Sequence, residues 1–336
     1  MDKKQQILEA VKQDPFISQK ELAEKTGLSR SAAAGYISTL IKEGVLAGKA
    51  YVVNEPAGVF CLGGANLDRK LTAKSFQMYD SNPVISRESP GGVARNICVN
   101  LNQLGQRASL VTVTGFDAAA EKVTAALPGN GHVIKQLRGA STGTYTVVLN
   151  EKHDMLFALA DMAIYDAFTP EVLEEEKGRL KHASVLAADT NLPEQTLCRL
   201  AQWKLSDQKL VLIPVSAAKM DRVPQNLAGY DLIVLNKLEA EALTKGSAES
   251  LLDLGVAEAV VTDGLRPVQH LTADGIEEFP VPASERLVDV TGAGDAFASV
   301  LIKALAEKKA VRDVLPTALH TAKKVVESEA SSIQLS

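Results

Sequence analysis

The sequence has few cysteines, few aromatic residues and no long apolar run. Its three cysteines, Cys61, Cys98 and Cys198, lie far apart and form no CxxC pair. This spacing argues against a zinc site or a disulfide scaffold and favours buried free thiols in a reducing compartment. No stretch approaches the roughly 20 apolar residues of a membrane helix, and the first residues, MDKKQQILEA, lack the apolar segment of a signal peptide. We therefore expect a cytoplasmic protein that has no membrane partner.

Composition and charge indicate a large α/β domain that follows a small basic one. Aromatic residues make up 4% of the chain, and abundant alanine, valine and leucine suit α/β packing better than an all-β sandwich. The net charge is −5, yet residues 1–54 hold eight lysines and arginines against six acidic residues. A basic N-terminal segment and an acidic remainder indicate two domains with different roles. A chain of 336 residues is long enough for both domains.

Residues 1–54 carry the pattern of three short helices and a hairpin. The helices are expected at 3–13, within SQKELAEKTGLS and at 29–43, and GVLAGKAYVV is typical of a β-hairpin. In the second helix, Ser18 and Glu21 match the S-x-x-E capping box. This order resembles a winged helix-turn-helix domain, whose third helix enters the major groove of DNA.

The resemblance implies a DNA-contacting face on the third helix and the hairpin. The helix would bury apolar residues on one side: Ala33, Ile37, Leu40 and Ile41. Its polar side would face DNA: Ser29, Arg30, Ser31, Gly35, Tyr36, Ser38 and Thr39, with Lys49 of the hairpin near a phosphate. The alternative is a docking or dimerisation module, since the positive charge of this segment is small for a nucleic-acid binder.

After a short linker, residues 58–336 alternate between strand and helix patterns. Strand-like runs occur at 58–62, 108–113, 183–188, 209–215, 231–235 and 258–262. Helical patterns occur at 93–104, 170–182, 193–205 and 238–254. The alternation predicts a parallel sheet with helices on both faces. Two stretches, about 68–88 and 137–160, carry strand patterns without helices between them, and they predict a small antiparallel sheet that projects as a lid.

Two glycine motifs precede polar residues at the expected ligand-binding edge of this sheet. GGANLD (63–68) directly follows the first strand, where α/β sheets bind ligands, and contains Asn66 and Asp68. SPGGVARN (89–96) opens a helix with two glycines that allow a ligand close to the backbone. Its first turn carries Arg95 and Asn96.

A third motif, DVTGAGDAF (289–297), leaves two interpretations of Asp295 open. The amides of Gly292, Ala293 and Gly294 lie where the positive end of a helix dipole can bind an anion, and Asp295 would then take a proton from a bound molecule. Alternatively, Asp295 merely caps the helix.

The order and spacing of the motifs resemble the ribokinase-like, phosphofructokinase-B (PfkB) type carbohydrate kinases. GGxNxD, PGGxxxN, an N-x-x-E motif at Asn236 and Glu239, and DVTGAGDAF follow one another within residues 58–336. The resemblance implies a Rossmann-like α/β fold with a β lid. It also implies homodimers that pair through their lids, and phosphoryl transfer from ATP, with Mg²⁺, to a sugar or nucleoside hydroxyl.

In this resemblance the third motif supplies the chemistry. Asp295 corresponds to the base that accepts the proton of the substrate hydroxyl. The amides of Gly292–Gly294 correspond to an anion hole for the transferred phosphoryl group. Asp289 and Thr291 match positions that, in some family members, help to hold a monovalent cation such as K⁺.

The resemblance also implies a nucleotide site. Asn236 and Glu239 match the motif that positions Mg²⁺ and the ATP phosphates, with the metal held through water. Thr262 and Gly264 match a T-x-G-x-x-G turn at the nucleotide. Pro267 replaces the second glycine of that turn and removes a backbone donor.

The substrate is indicated by a subgroup resemblance. DSNP (80–83), PGGVARN, ADMAI (160–164) and AADTN (187–191) resemble pseudouridine kinases, which implies transfer to the 5′-hydroxyl of pseudouridine. The candidate substrate contacts are Asn66, Asp68, Asp80, Ser81, Asn82, Gly91, Gly92, Arg95, Asn96, Asp161, Asp189 and Asn191. The alternatives are a kinase for another nucleoside or sugar, and a transcription regulator whose kinase-like domain senses a ligand.

Overall fold

The computed structural model describes residues 2–47, 58–125, 127–129, 131–152, 154–284, 286 and 291–328. By its internal contacts the chain divides into two units, Met1–Ala57 with Glu174–Ala183, and Gly58–Leu173 with Ser184–Ser336. Within the described ranges, no helix combines the length and the apolar character needed to cross a membrane.

Residues 2–47 form three helices, as the sequence predicted. These are α1 (Lys3–Gln13), α2 (Gln19–Thr26) and α3 (Arg30–Lys42). The predicted capping box begins α2: the Ser18 hydroxyl accepts a hydrogen bond from the Glu21 amide at 3.2 Å, and the Glu21 carboxylate accepts one from the Ser18 amide at 2.9 Å. Gly27 ends α2 in the left-handed conformation, with a φ of +66°.

The three helices bury one apolar core. Its members include Ile7, Val11, Leu22, Ala33, Ile37 and Leu40. The expectation that Ile41 joins this core is wrong, because its side chain is 40% exposed. Eight residues after Ala33, the helix has rotated about 80° away from the buried face. The predicted hairpin extends into residues 48–57, so most of it, with Lys49, lies outside the described residues.

The described part of the chain after residue 57 contains thirteen strands. They are β1 (Val59–Leu62), β2 (Asn66–Ala73), β3 (Val84–Gly91), β4 (Ala108–Gly115), β5 (Val133–Leu137), β6 (Thr144–Leu149), β7 (Met155–Asp161), β8 (Val185–Asp189), β9 (Lys209–Ile213), β10 (Leu232–Asn236), β11 (Glu258–Asp263), β12 (Arg266–Thr272) and β13 (Gly275–Phe279). Those assigned to the main sheet follow the order β13-β12-β11-β10-β9-β8-β1-β4-β5.

The main sheet is mixed, whereas the sequence pattern predicted a parallel one. From β11 to β5 every neighbouring pair is parallel, and Val59 lies opposite both Ala108 and Val185. The pairs β11–β12 and β12–β13 are antiparallel. The reversal follows from a tight turn after Asp263, where Gly264 takes a φ of +59°. Strands β5, β12 and β13 were not predicted.

The strands alternate with helices, and one predicted helix is divided. The helices are α4 (Val93–Gln103), α5 (Ala118–Ala125), α6 (Pro170–Leu180), α7 (Glu194–Trp203), α8 (Lys237–Thr244), α9 (Ala293–Ala306) and α10 (Val311–Val326). The helix predicted at 238–254 ends early, because Lys245 adopts a left-handed φ of +54°. A 3₁₀ helix (Ala248–Leu254) follows, and the Ser247 hydroxyl accepts a hydrogen bond from the Glu249 amide at 3.2 Å at its start.

The predicted lid is present, but its sheet is mixed and not antiparallel. Its strands follow the order β3-β2-β6-β7. β2 pairs antiparallel with β3 and parallel with β6, where Leu67 lies opposite Thr144. The parallel pair arises because a long crossover through α4, β4, α5 and β5 separates β2 from β6 and returns the chain to the same end of the lid.

The chain brings the candidate motifs to one edge of the main sheet. Because β1, β8 and β10 are parallel, the residues that follow them, Gly63, Thr190 and Lys237, emerge at the same edge. The lid begins there too, since Asn66 of β2 pairs with Gly91 of β3 immediately before α4.

Candidate active site

Asp189 is the buried centre of this edge. Its Oδ2 accepts hydrogen bonds from the amides of Gly64 at 2.9 Å and Ala94 at 3.0 Å, and its Oδ1 accepts one from the Asn191 amide at 2.8 Å. The residue is 1% exposed, and burial raises the pKa of its carboxyl group. A Cβ on Gly63 would collide with this carboxylate. The side chain expected to contact substrate instead joins the β1 turn, the start of α4 and the end of β8.

Asp68 lies where the lid leaves the main sheet. Its Oδ1 accepts a hydrogen bond from the Asn66 side-chain amide at 2.6 Å. A Cβ on Gly91 would collide with the Asp68 carboxylate, so the glycine allows the carboxylate to lie against β3. Burial raises the pKa of Asp68 to about 6, and the hydrogen bond from Asn66 opposes this rise. Asn66 and Asp68 therefore form one polar pair that lies against Gly91 at the base of the lid.

The key contact joins two motifs that are 199 residues apart: the Asn96 side-chain amide donates to Asp295 Oδ2 at 2.8 Å. Asn96 lies in the first turn of α4, which begins after Gly92 with a φ of +101°. A Cβ on Gly92 would collide with the Gly64 carbonyl oxygen, so this position requires glycine. The contact brings the second and third glycine motifs into one site.

The pKa of Asp295 is raised to about 7. Burial is the largest cause, the Asn96 hydrogen bond lowers the pKa, and the charges of Asp189 and Asp68 raise it further. A carboxylate whose pKa lies close to neutral pH can accept and release a proton in catalysis.

The start of α9 answers the question of whether Asp295 is a cap. The helix begins at Ala293, Gly292 is its N-cap with a φ of +81°, and no side chain forms a hydrogen bond at the cap. A Cβ on Gly294 would meet no described atom within 4 Å. Asp295 therefore does not cap α9, and the amides of this first turn lie at the positive end of the helix dipole, which suits an anion.

Comparison with known proteins identifies the family. Residues 57–336 match the pfkB family of carbohydrate kinases, and residues 2–47 match winged helix-turn-helix DNA-binding domains. The chain is a pfkB family carbohydrate kinase. This confirms the resemblance found in the sequence.

Relatives of this kinase include nucleoside and sugar kinases. It is 30% identical to the pseudouridine kinase of Escherichia coli (strain K12) over 256 residues, which cover 71% of this chain and 80% of that protein. It is 28% identical to the "Uncharacterized sugar kinase YeiI" of the same organism over 93% of this chain and 90% of the relative. A solved carbohydrate kinase from Agrobacterium tumefaciens is 30% identical and superposes with a TM-score of 0.72, covering 82% of this chain and 92% of that one.

In this pfkB kinase the N-x-x-E motif forms a helix cap. The Asn236 side chain accepts a hydrogen bond from the Glu239 amide at 3.0 Å, and the Glu239 carboxylate accepts one from the Asn236 amide at 2.8 Å. Glu239 is 4% exposed, and burial raises its pKa to about 7. The motif thus has a structural role at the start of α8, in addition to the metal-positioning role expected of it.

The expected nucleotide turn lies beside this cap. Thr262 pairs with Asn236 across β10 and β11. Gly264 takes its left-handed φ in the turn to β12, and a Cβ there would meet no described atom within 4 Å. Pro267 falls at the irregular register between Val261 and Asp263, where a missing backbone N–H is tolerated in a strand. Pro267 is thus accommodated by the hairpin.

The remaining expected contacts are the lid residues, Asp289 and Thr291. Asn82 closes the lid turn: its side-chain oxygen accepts from the Gln77 amide at 2.7 Å and its amide donates to the Gln77 carbonyl at 2.9 Å. Ser81 donates its backbone N–H to the Asp80 carboxylate at 2.7 Å. Asp161 is exposed at the end of β7. Asp289 lies outside the described residues, whereas Thr291 is described and exposed.

Two residues that sequence reasoning missed support the edge. The buried Tyr165 hydroxyl donates to the Ala65 carbonyl at 2.7 Å and accepts from the Ala65 amide at 2.8 Å. Lys219 donates to the side-chain oxygen of the buried Asn191. Neither residue belongs to a motif, and each acts on a residue far away in sequence, so no local pattern signals its role.

Proposed function

We propose that this pfkB kinase transfers the γ-phosphoryl group of ATP to the 5′-hydroxyl of pseudouridine. The observation that carries the proposal is the 2.8 Å hydrogen bond from Asn96 to Asp295, which places a carboxylate with a pKa of about 7 beside Asp68 and the glycine motifs. Similarity to the pseudouridine kinase of Escherichia coli supports the choice of substrate.

In the proposed reaction Asp295 is the proton acceptor. The 5′-oxygen forms a bond to the γ-phosphorus, the bond from that phosphorus to the β–γ bridging oxygen breaks, and the proton of the hydroxyl moves to Asp295 Oδ2. Amides in the first turn of α9, after Gly292, stabilise the charge on the transferred group. Asp68 and Asn66 orient the ribose hydroxyls, because their carboxylate and amide groups offer acceptors and donors at the base of the lid.

The proposed nucleotide site uses residues of β10, α8 and β11. Asn236, Glu239, Thr262 and Gly264 would hold ATP, which supplies the phosphoryl group. The described residues contain no group of three or more His, Cys, Asp or Glu side chains able to hold a metal ion. In the proposal Glu239 would hold Mg²⁺ through water, because Mg²⁺ keeps several of its waters.

The test compares substrates and one pair of variants. The full chain is incubated with Mg-ATP and pseudouridine, uridine, ribose or fructose phosphates, beside Asp295→Asn and the control Asp274→Asn, which alters an exposed carboxylate in the β12–β13 turn. We expect pseudouridine to have the highest kcat/KM, a loss of about 10²- to 10⁴-fold in Asp295→Asn, and wild-type activity in the control. Absence of turnover for every compound, or an active Asp295→Asn, contradicts the proposal.

A second candidate is a kinase for another sugar or nucleoside. The similarity to YeiI, which extends over 93% of this chain, favours it. The same substrate panel separates the two, because a sugar or uridine would then have the highest kcat/KM. If a compound binds in calorimetry but is never phosphorylated, the kinase-like domain acts as a ligand sensor.

We also propose that residues 1–54 bind DNA, on the basis of the match of residues 2–47 to DNA-binding domains. Arg30, Ser31 and Ser38 are exposed on α3, and Ser29 begins that helix by accepting a hydrogen bond from the Ala32 amide at 3.2 Å. Tyr36 is partly buried.

The DNA proposal is tested with two single variants of α3, one at an arginine and one at a lysine. Retardation of promoter DNA by the full chain should weaken steeply with salt. Arg30→Ala should weaken binding by several fold, and Lys42→Ala, at the far end of the same helix, should weaken it less. If the full chain does not retard DNA even at low salt, the DNA proposal is wrong, and the alternative of a docking module for residues 1–54 is favoured.

A homodimer that pairs through the lids is proposed from their exposed apolar surface. Large apolar side chains exposed on the lid are Phe76, Met78, Tyr79, Val84, Ile85, Tyr145, Met155, Leu156, Phe157 and Leu159. A cluster of this size on a small sheet is typical of an interaction surface.

A further inference from the structure

Arg95 lies between the lid and the proposed base. It follows Gly92 in the first turn of α4 and is 6% exposed. One guanidinium nitrogen, Nη1, donates to the Pro90 carbonyl of β3 at 3.4 Å and to the Asn96 side-chain oxygen at 3.2 Å. Arg95 therefore touches the residue that contacts Asp295, and it is itself held against the lid strand.

The buried environment of the Arg95 guanidinium group destabilises the folded protein. Among the residues that the structure describes, its Nε has no hydrogen-bond partner, although the atom is buried. Burial also lowers the pKa of the guanidinium group, and the nearby charge of Asp68 offsets only part of this effect. A buried donor without a partner destabilises a protein, and an apolar side chain of similar volume avoids this cost. Stability alone therefore does not explain an arginine at this position.

The two contacts of Asn96 explain the arginine. A side-chain amide has one acceptor end and one donor end. Because Arg95 donates to the oxygen of Asn96, the NH₂ group must point the other way, toward Asp295. A flipped amide would place its oxygen against a carboxylate and its NH₂ against a guanidinium, and both contacts are unfavourable.

We propose that Arg95 is a positioning residue that orients the Asn96 amide and thereby holds Asp295 as a hydrogen-bonded carboxylate. Among the residues that the structure describes, the charges of Asp189 of β8 and Asp68 of β2 act on Asp295 from other elements, and both oppose its ionisation. The oriented Asn96 counteracts them. This inference rests on the proposed function, in which Asp295 is the base, and it assigns Arg95 a role other than substrate contact.

The kinetic test is a double-mutant cycle in the full chain. Arg95→Met should lower kcat at pH 7 about fivefold and move the acid limb of the kcat/KM profile upward by about one pH unit, with KM nearly unchanged. In an Asn96→Ala background, Arg95→Met should cause no further shift, because its effect passes through Asn96. A raised KM with an unshifted profile would show that Arg95 contacts substrate, and additive shifts would show that it acts independently of Asn96. Either result overturns the inference.

A measurement without turnover separates this inference from the proposed function. Full-length protein labelled with ¹³C at aspartate carboxyls is titrated by NMR, and the Asp295 signal is assigned with Asp295→Asn. The Asp295 midpoint should rise by about one unit in Arg95→Met. Arg95→Lys should give a smaller rise, since lysine keeps a charged donor but carries it on a flexible stem that fixes the Asn96 oxygen less firmly. Arg95→Lys is also the variant to titrate if Arg95→Met does not fold. An unchanged midpoint in the folded variants overturns the inference, whether or not the wild type phosphorylates any compound.

Discussion

Substitution of Asn96 by alanine should disable the kinase at neutral pH and leave it active in alkali. The variant removes the donor that contacts Asp295 Oδ2 at 2.8 Å. A hydrogen bond to a charged group contributes about 1.5 to 3 kcal/mol, which corresponds to a pKa rise of roughly 1 to 2 units. The pKa of Asp295, about 7 in the wild type, would then exceed neutral pH.

The size of the effect follows from the ionised fraction. At pH 7, roughly half of the wild-type Asp295 is ionised, against about a tenth to a hundredth in Asn96→Ala. The rate at pH 7 should therefore fall roughly 5- to 50-fold, and much of it should return as the pH rises through the new pKa. The sign follows because the lost donor stabilised only the carboxylate form, which is the form that accepts the proton.

The assay is a pH profile of kcat/KM between pH 5 and 10, with a matched control on the same helix. Asn102 also lies on α4, but its side-chain amide donates to the carbonyls of Cys98 at 2.8 Å and Ala108 at 2.9 Å, away from Asp295. Asn102→Ala should lower the melting temperature and leave the midpoint of the profile in place. An unshifted midpoint in Asn96→Ala, or an equal shift in the control, would refute the reasoning.

Three further predictions concern the glycine motif, the buried glutamate and the lid. Gly92→Ala should destabilise the fold by about 1 to 3 kcal/mol more than Gly139→Ala in thermal melts, because both have positive φ but a Cβ would collide with backbone only at Gly92; equal losses would contradict the predicted collision. Glu239→Gln should keep the helix cap and raise the melting temperature. The gain in the free energy of unfolding should be absent near pH 4 and reach about 3 kcal/mol above pH 7. Burial raises the Glu239 pKa from 4.5 to about 7, so ionisation between these pH values destabilises the wild type but not the variant. A gain that does not depend on pH would contradict this prediction. Ile85→Asp should convert a dimer to a monomer in light scattering, whereas Ile276→Asp, exposed on β13, should not.

Much of the fold follows from local sequence. The three N-terminal helices appear where apolar periodicity and the Ser18–Glu21 capping box predicted them, because these signals act within one or two turns. The strands next to the glycine motifs were also predicted, since continuous apolar runs of four to eight residues are typical of buried parallel strands. Ile41 shows the limit of such patterns, because a residue at the edge of a helical face is buried only if a neighbour covers it.

The sequence also indicated the family. The order of GGANLD, PGGVARN and DVTGAGDAF was enough to indicate the family, and the comparisons confirmed it. Within the candidate site, Asn66 contacts Asp68 and Asn96 contacts Asp295, while their roles toward substrate remain predictions. The assignment of Asp295 as a base remains a prediction that the pH profile tests.

Only the tertiary structure decided how the motifs act on one another. Asn96 meets Asp295 across 199 residues, and Asp189 turns inward to hold the amides of Gly64 and Ala94. The parallel pair inside the lid likewise depends on a crossover and not on any pattern within β2 or β6. The physical reason is that pKa values, amide orientations and strand directions depend on neighbours in space. A residue's own sequence context sets its conformation, whereas distant residues set its burial and its charge.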